Sequence, residues 1–359
     1  MAQHFDENKL EVAGDPVQVA EQVTYYSTYW ALFSASANGI LVYRGGTVTP
    51  LSQTTWFDRQ GKPVGAMGDP ASFFGLALSP NNKMAVVGLL NDVHSFSVPD
   101  LWLFDFSRDA APIRFTLGQG FNSTPVFSPD GSRIAFASNR DGGIYKIYQK
   151  PTSSATKEEV LLNSSVYAFP TSWSSDGRFL LYIAWDPKTY KGDLALLPLE
   201  GNRKPISFLS TEFNELDGRF SPDMKWVAYM SDESGSNEIY VRPFSKDYGG
   251  TSTIKGQWLV SKGGGMGPRW RGDGKELYYR AFDGNIMAVE VTPGATFQAG
   301  PSKPLFKAPP DLSEQATLYS FPTWDVTSDG SRFLLPKPVA ETSPSPFTVI
   351  VNWNSLFKK

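Results

Sequence analysis

Five aspartates, Asp130, Asp176, Asp223, Asp273 and Asp329, recur at similar intervals along the chain, and positioned carboxylates are the usual raw material of general acid and base catalysis. Each stands in its own copy of a Ser-Pro-Asp-Gly-like phrase, where Asp bonds its own turn and Gly accepts a positive φ. They therefore read as turn residues that do not converge on one substrate. The glycines Gly263, Gly264, Gly265 and Gly267 suggest a phosphate loop, but the run lacks the Gly-Lys-Ser/Thr ending and enters a strand rather than a helix, so it reads as a turn. Asp105-Phe106-Ser107 is the nearest string to the metal-binding Asp-Phe-Gly of kinases and lies inside an expected strand. No Gly-x-Ser-x-Gly elbow is present. His4 and His94 are the only histidines, too few for a His-rich metal site, and His94 reads as a solvated loop residue. Cysteine is absent, which excludes disulfides, thiolate nucleophiles and Cys-based metal sites. The expectation is no catalytic residue, no cofactor and no metal.

The elements around these residues repeat. FSASANGILVY from Phe33, LSPNNKMAVV from Leu78, FSPDGSRIAF from Phe127, WSSDGRFLLY from Trp173, FSPDMKWVAY from Phe220, WRGDGKELYY from Trp270 and VTSDGSRFLL from Val326 are seven copies of one phrase. From Asn38 through Asn81 and the five aspartates, the turn residues are spaced by 43, 49, 46, 47, 50 and 56 positions. A period of this length is that of a propeller blade. In each copy a strand meets a tight corner and leaves as an alternating apolar strand, a hairpin. The aromatic before the corner, as in Phe127, Trp173, Phe220 and Trp270, reads as packing between blades.

A third strand follows most corners, in TTWFDR from Thr54, DLWLFDF from Asp100, YKIYQK from Tyr145, LALLPL from Leu194, EIYVRPF from Glu238 and IMAVEV from Ile286. Fourth strands follow in RFTLG from Arg114, EEVLLN from Glu158, QWLVS from Gln257 and KPLFKA from Lys303. No 3.6-period segment of helix length competes with four antiparallel strands per unit. The expected fold is all-β, one seven-bladed propeller over residues 1–359 with blades at about 21–68, 69–118, 119–164, 165–211, 212–262, 263–308 and 316–353. The N-terminal segment resembles the strands from Ile286 onward, so Pro16 to Ala20 is expected to close the last blade and remove its exposed edge.

FSPDGSRIAFASNRDG, FSPDMKWVAYMSDESGSNEIYV and PRWRGDGKELYY resemble the TolB-like, WD-like propeller repeat over nearly the whole chain. The phrases at Thr55 to Lys62, Tyr148 to Pro151, Leu197 to Pro205 and Asp273 to Tyr279 resemble more narrowly the propeller found C-terminal to the kinase domain of some bacterial serine/threonine protein kinases. The resemblance implies a ligand- or protein-binding module, in the kinase context the sensory part outside the membrane, with no family catalytic residue to carry over. This sequence departs from the kinase-linked pattern in having no kinase region and no membrane segment.

In such a propeller the loops from fourth to first strand and from second to third strand emerge on one face, and loops on a rigid scaffold are where binding residues sit. The first set supplies Phe73, Phe74, Asn122, Phe169, Glu215, Asp217, Met266, Arg269 and Phe321, and the second Arg140, Asp141, Trp185, Tyr190, Asp232 and Glu233. Aromatics mixed with both charge signs suit a protein or peptide partner, with a small ligand as a further option and the monomer as the expected state. A formal charge of −3 leaves no basic excess for a phosphate backbone, so nucleic acid is not expected. No apolar run reaches the length of a membrane span and the start lacks a signal peptide's basic and apolar regions, so no direct membrane insertion is expected. The chain as written reads as cytoplasmic, and as extracytoplasmic if it is a detached kinase-linked or TolB-like module. The leading expectation is a non-catalytic binding or scaffold module; the alternative is a propeller lyase or hydrolase with a polar site at the channel mouth.

Overall fold

The computed structural model describes residues 1–21, 23, 31–45, 51–90, 98–108, 110–118, 120–153, 157–245, 256–310, 323–339 and 346–357. Among these residues the regular structure is strand, with one short 3-10 turn at Trp353–Phe357 and no α-helix. The chain divides into two compact units, one formed before Ser52 and from Val339 onward, the other from Ser52 to Pro338.

The larger unit is built from the corner phrase. In blade II, Ser128 Oγ donates to Asp130 Oδ1 at 2.5 Å while accepting from Arg133 N at 2.9 Å. The same bonds recur at Ser79 with Asn81, Ser174 with Asp176, Ser221 with Asp223 and Thr327 with Asp329. Each corner thus ties the end of one strand to the start of the next before any tertiary contact is made. Two more strands complete each antiparallel sheet: blade II runs Asn122–Phe127, Arg133–Ser138, Lys146–Pro151 and Glu159–Leu162. Blade III begins at Tyr167–Trp173, blade IV at Glu215–Phe220 and blade V at Met266–Trp270.

The long strand Pro63–Leu78 serves two sheets. From Ser72 onward it is the inner strand of blade I, paired with Met84–Leu90; its first part pairs with Ser52–Asp58. Ser52–Asp58 in turn pairs along its whole length with Arg332–Pro338, from Arg332 opposite Asp58 to Pro338 opposite Ser52. Blade VI is therefore Asp325–Val326, Arg332–Pro338, Ser52–Asp58 and the start of Pro63–Leu78. Inner strands lie side by side from blade VI through I, II, III and IV to V, and blades V and VI meet through Gly272 N donating to Ser328 O at 2.7 Å. The ring closes with six four-stranded blades among the described residues.

Blade number and closure thus differ from the sequence expectation. Pro16 belongs to the hairpin of Ala2–Asp6 with Glu11–Val17, and Pro16 to Ala20 closes no blade. The Phe33 phrase forms its expected corner, with Ile40 N donating to Ser36 Oγ at 3.0 Å. Its strands, Phe33–Ala35 and Ile40–Arg44, join Phe347–Val351 in a three-stranded sheet of the smaller unit. The third strand of the last blade is Ser52–Asp58, whose Phe57 is buried among Phe306, Phe333 and Trp324.

Every seam between blades is filled by side chains from both sheets. Leu334 packs with Leu76 and Leu78 between blades VI and I, Phe127 with Val86 and Leu103 between I and II, and Trp173 with Val126 and Ala135 between II and III. A larger cluster joins blades III, IV and V through Leu181, Phe220, Tyr229 and Tyr279. Sheets buried on both faces explain strands such as FLLYIAW that are apolar throughout rather than alternating.

Two outcomes follow. A chain beginning at Ser52 should melt cooperatively and stay monodisperse on size exclusion, whereas one beginning at Gly68 lacks two strands of blade VI, exposes the edge of Arg332–Pro338 and should aggregate. Trp173→Ala removes a side chain 9% exposed from the seam between blades II and III and should cost about 3–5 kcal/mol in denaturant unfolding; a loss under about 1 kcal/mol would mean that Trp173 does not hold the seam.

Candidate functional site

The inner strands carry the same irregularity. Pairing slips after Phe73, Ser123, Pro170, Leu216 and Met266, in blades I to V, so the inner strand bulges against its neighbour at one level of the ring. Counted back from the corners, Gly75, Thr124, Asp217 and Gly267 occupy equivalent positions, and all four are left-handed, with φ of 103°, 46°, 44° and 64°. Glycine adopts this conformation freely; a β-branched threonine and an aspartate do so at a cost.

Four residues before the corner acid of blades III to VI stand Ser172, Arg219, Arg269 and Asp325. Arg269 Nη1 donates to Asp217 Oδ2 at 3.2 Å and to Pro268 O at 2.7 Å, and its Nε donates to Trp324 O at 3.2 Å and faces Asp325 Oδ1 at 3.5 Å. Arg219 Nε donates to Asp217 Oδ1 at 3.0 Å. Asp325 Oδ2 accepts from Leu78 N at 2.8 Å, and Ser172 Oγ accepts from Phe220 N at 3.2 Å. This polar arc ties blade III to IV, IV to V, V to VI and VI to I. Burial and the adjacent Arg269 cation push the pKa of Arg219 down, with Asp217 and Asp325 opposing. The corresponding positions in blades I and II are Ala77 and Val126, both buried, so the arc has an apolar complement.

The other loop-face residues form several sites rather than one. Asn122, fully buried, donates to Asp100 Oδ1 at 3.2 Å and accepts from Arg140 Nη2 at 2.9 Å, while Arg140 lies 4.6 Å over the Tyr148 ring. Asp141 accepts from Tyr148 Oη at 2.6 Å and from Lys146 at 3.2 Å, and these bonds hold its pKa below the usual carboxylate range. Asp232 accepts from Asn214 N and Nδ2, both at 2.8 Å, and Glu233 accepts from Gln257. Glu215 is buried and accepts from Thr211; burial raises its pKa. Phe169 lies 5.0 Å from Tyr145, Phe74 5.3 Å edge-on to Phe121, and Phe73 and Trp185 are buried. Met266 is half-buried against the core, and Tyr190 stands 73% exposed at a turn. Phe321 and His94 lie outside the described residues. Of the candidates, the structure joins Asp217 to Arg269 and Asn122 to Arg140.

The sequence reading missed a carboxylate clamp that blades I and IV share. In blade IV, Glu238 accepts from Gly263 N at 2.8 Å, Gly264 N at 2.9 Å and the Ser261 hydroxyl. In blade I, Asp100 accepts from Thr116 Oγ1 at 2.7 Å and Gly118 N at 2.9 Å. The glycine run that suggested a phosphate loop thus cradles a carboxylate of its own chain. An acid opening the third strand, as in DLWLFDF and EIYVRPF, was the available signal.

No protein-family model and no curated protein matches the chain. The solved putative TolB from Agrobacterium tumefaciens matches with a TM-score of 0.58 at 14% identity, over 81% of this chain and 99% of that one. The fold is that of a TolB-like β-propeller. TolB from Acinetobacter baumannii has a TM-score of 0.51 at 16% identity, covering 88% of this chain and 79% of its own. The hydrazine synthase of Kuenenia stuttgartiensis has 0.51 at 15%, covering 89% and 94%. At these identities the likeness concerns architecture alone.

The corner aspartates of this TolB-like propeller are hydrogen-bond acceptors in their own turns. Bonds from Ser128 and Ser132 hold the pKa of Asp130 at about 2, and bonds from Thr327 and Ser331 hold that of Asp329 at about 2, against an ordinary 3.8. Because the folded values lie below the free ones, the stabilisation is complete above about pH 4 and is lost as the pH falls towards 2. Asn81 shows that asparagine serves in this corner, accepting from Ser79 Oγ at 2.8 Å and Lys83 N at 3.0 Å. The double variant Asp130→Asn, Asp329→Asn should therefore fold and lose less in melting temperature between pH 4 and pH 2 than the parent; parallel curves would show that these carboxylates do not contribute.

Proposed function

We propose that this TolB-like propeller is a non-catalytic binding module that takes a protein or peptide segment on the face where its inner strands begin. The observation that carries the reading is the inner-strand level at which Thr124 and Asp217 are held left-handed, two positions before the level that carries Arg219, Arg269 and Asp325. Backbone strain persists only where the surroundings enforce it, and it gathers at ligand clamps. A polar arc suits a peptide, whose backbone offers both donors and acceptors, and the exposed Tyr190 adds an aromatic of the type that dominates interfaces. Asp217 is engaged by two arginines, which favours a positioning role over that of a general base and so favours binding over the lyase or hydrolase alternative. In a kinase-linked setting the same face would be the sensing surface.

The test is selection from a random peptide display library on the immobilised chain, followed by calorimetry. Thr124 Oγ1 has no hydrogen-bond partner and its φ of 46° suits glycine, so Thr124→Gly should melt no lower than the parent. It should bind selected peptides about tenfold more weakly, a change of about 1.4 kcal/mol. Enrichment of no peptide, or affinity unchanged in Thr124→Gly, would overturn the proposal.

A further inference from the structure

We infer that Arg269 and Trp324 form a docking point for the backbone carbonyl of a neutral, extended peptide segment, between blades V and VI; this rests on the binding reading above and names the group recognised. Arg269 is 4% and Trp324 2% exposed, and the guanidinium carbon lies 5.4 Å over the indole ring. Each keeps one buried donor without a hydrogen-bond partner, Nη2 of Arg269 and Nε1 of Trp324. Buried indole and guanidinium N–H groups are ordinarily satisfied, because leaving them unmade forfeits their hydration with no return. Two such donors on neighbouring side chains mark a place where acceptor oxygen belongs.

The backbone keeps this place open. Gly267 lies left-handed at φ 64°, and a Cβ there would sit 2.8 Å from Trp324 Nε1, so any side chain at 267 would press on the donor. The neighbouring side chains of Asp325 and Arg219 are 20% and 15% exposed.

Charge selects among acceptors. Asp217 and Asp325 already balance Arg219 and Arg269 one for one, and a further carboxylate would bring uncompensated negative charge into a largely buried setting. A neutral amide carbonyl satisfies the donors without that cost.

The ten tryptophans give separable indole N–H signals in a 15N-labelled sample, and loss of one in Trp324→Phe assigns Trp324. Titration of the unaltered chain with N-acetylglycinamide should move that signal saturably, sodium acetate at equal ionic strength should leave it in place, and Arg269→Lys should weaken the response to the amide. A Trp324 signal unmoved by the amide, or moved equally by acetate, would overturn the inference. Selected peptides that bind while leaving Trp324 unmoved would overturn it and leave the binding module standing. A Trp324 response with no selectable peptide would retain the donor pair and remove the binding module.

Discussion

The pairing of Ser52–Asp58 with Arg332–Pro338 is the constraint on which the propeller depends. Each blade buries both faces, so a sheet short of two strands would leave apolar surface open on two neighbours as well as an unpaired edge. The seam between blades V and VI shows the coupling: Phe57 from the start of the ring is stacked 6.1 Å from Phe306 and shares its cluster with Phe333 and Tyr278. A polar clasp repeats it, with Arg59 forming a two-pronged pair with Glu276 at 2.8 and 3.0 Å and donating to Tyr278 Oη at 2.9 Å and Gly330 O at 3.2 Å. A bidentate pair of this kind fixes direction as well as distance. It sets the register in which the early strands meet a blade formed from the far end of the ring.

Corners were legible in the sequence because their chemistry is local. Ser, Asp and Gly within five residues specify a turn whether or not a blade forms around it, and for that reason the Phe33 phrase could form its corner and still lie outside the ring. TTWFDR was recognisable as a third strand from its alternating apolar pattern, but the strand it pairs with lies more than 270 positions away. No local signal distinguishes that partner from the nearer Ile40–Arg44, whose own pattern is equally strand-like. The repeat therefore gave the type of architecture and an overcount of blades, since corner chemistry was counted where sheet closure decides.

The site was less legible for a related reason. Loop position identified Asp217, Arg269 and Asn122 as polar groups near the starts of inner strands and Arg140 as one between second and third strands. Whether such groups face solvent or one another depends on the bulge, and the bulge leaves no fixed residue type: its left-handed position is Gly in blades I and V, Thr in II and Asp in IV. The clamps at Asp100 and Glu238 escaped notice because their donors include the backbone N–H groups of Gly118, Gly263 and Gly264, and every sequence possesses such groups.

A repeat becomes specific where its copies differ while its geometry does not. The level four residues before the corner acid or its asparagine counterpart runs Ala77, Val126, Ser172, Arg219, Arg269 and Asp325 around the ring, from small and apolar to charged. Since all six occupy one framework position, the change in polarity is a property of side chains rather than of shape. It yields an arc in which Ser172 bonds Phe220, Arg269 bonds both Asp217 and Trp324, and Asp325 bonds Leu78, so that blades III, IV, V, VI and I are linked in turn. Removing one of these links would leave a buried group unsatisfied at a seam between sheets, so the same bonds that shape the polar face hold the blades in register. Binding chemistry and ring stability are thus coupled at this level of the fold, whereas the aspartate corners can tolerate substitution one blade at a time.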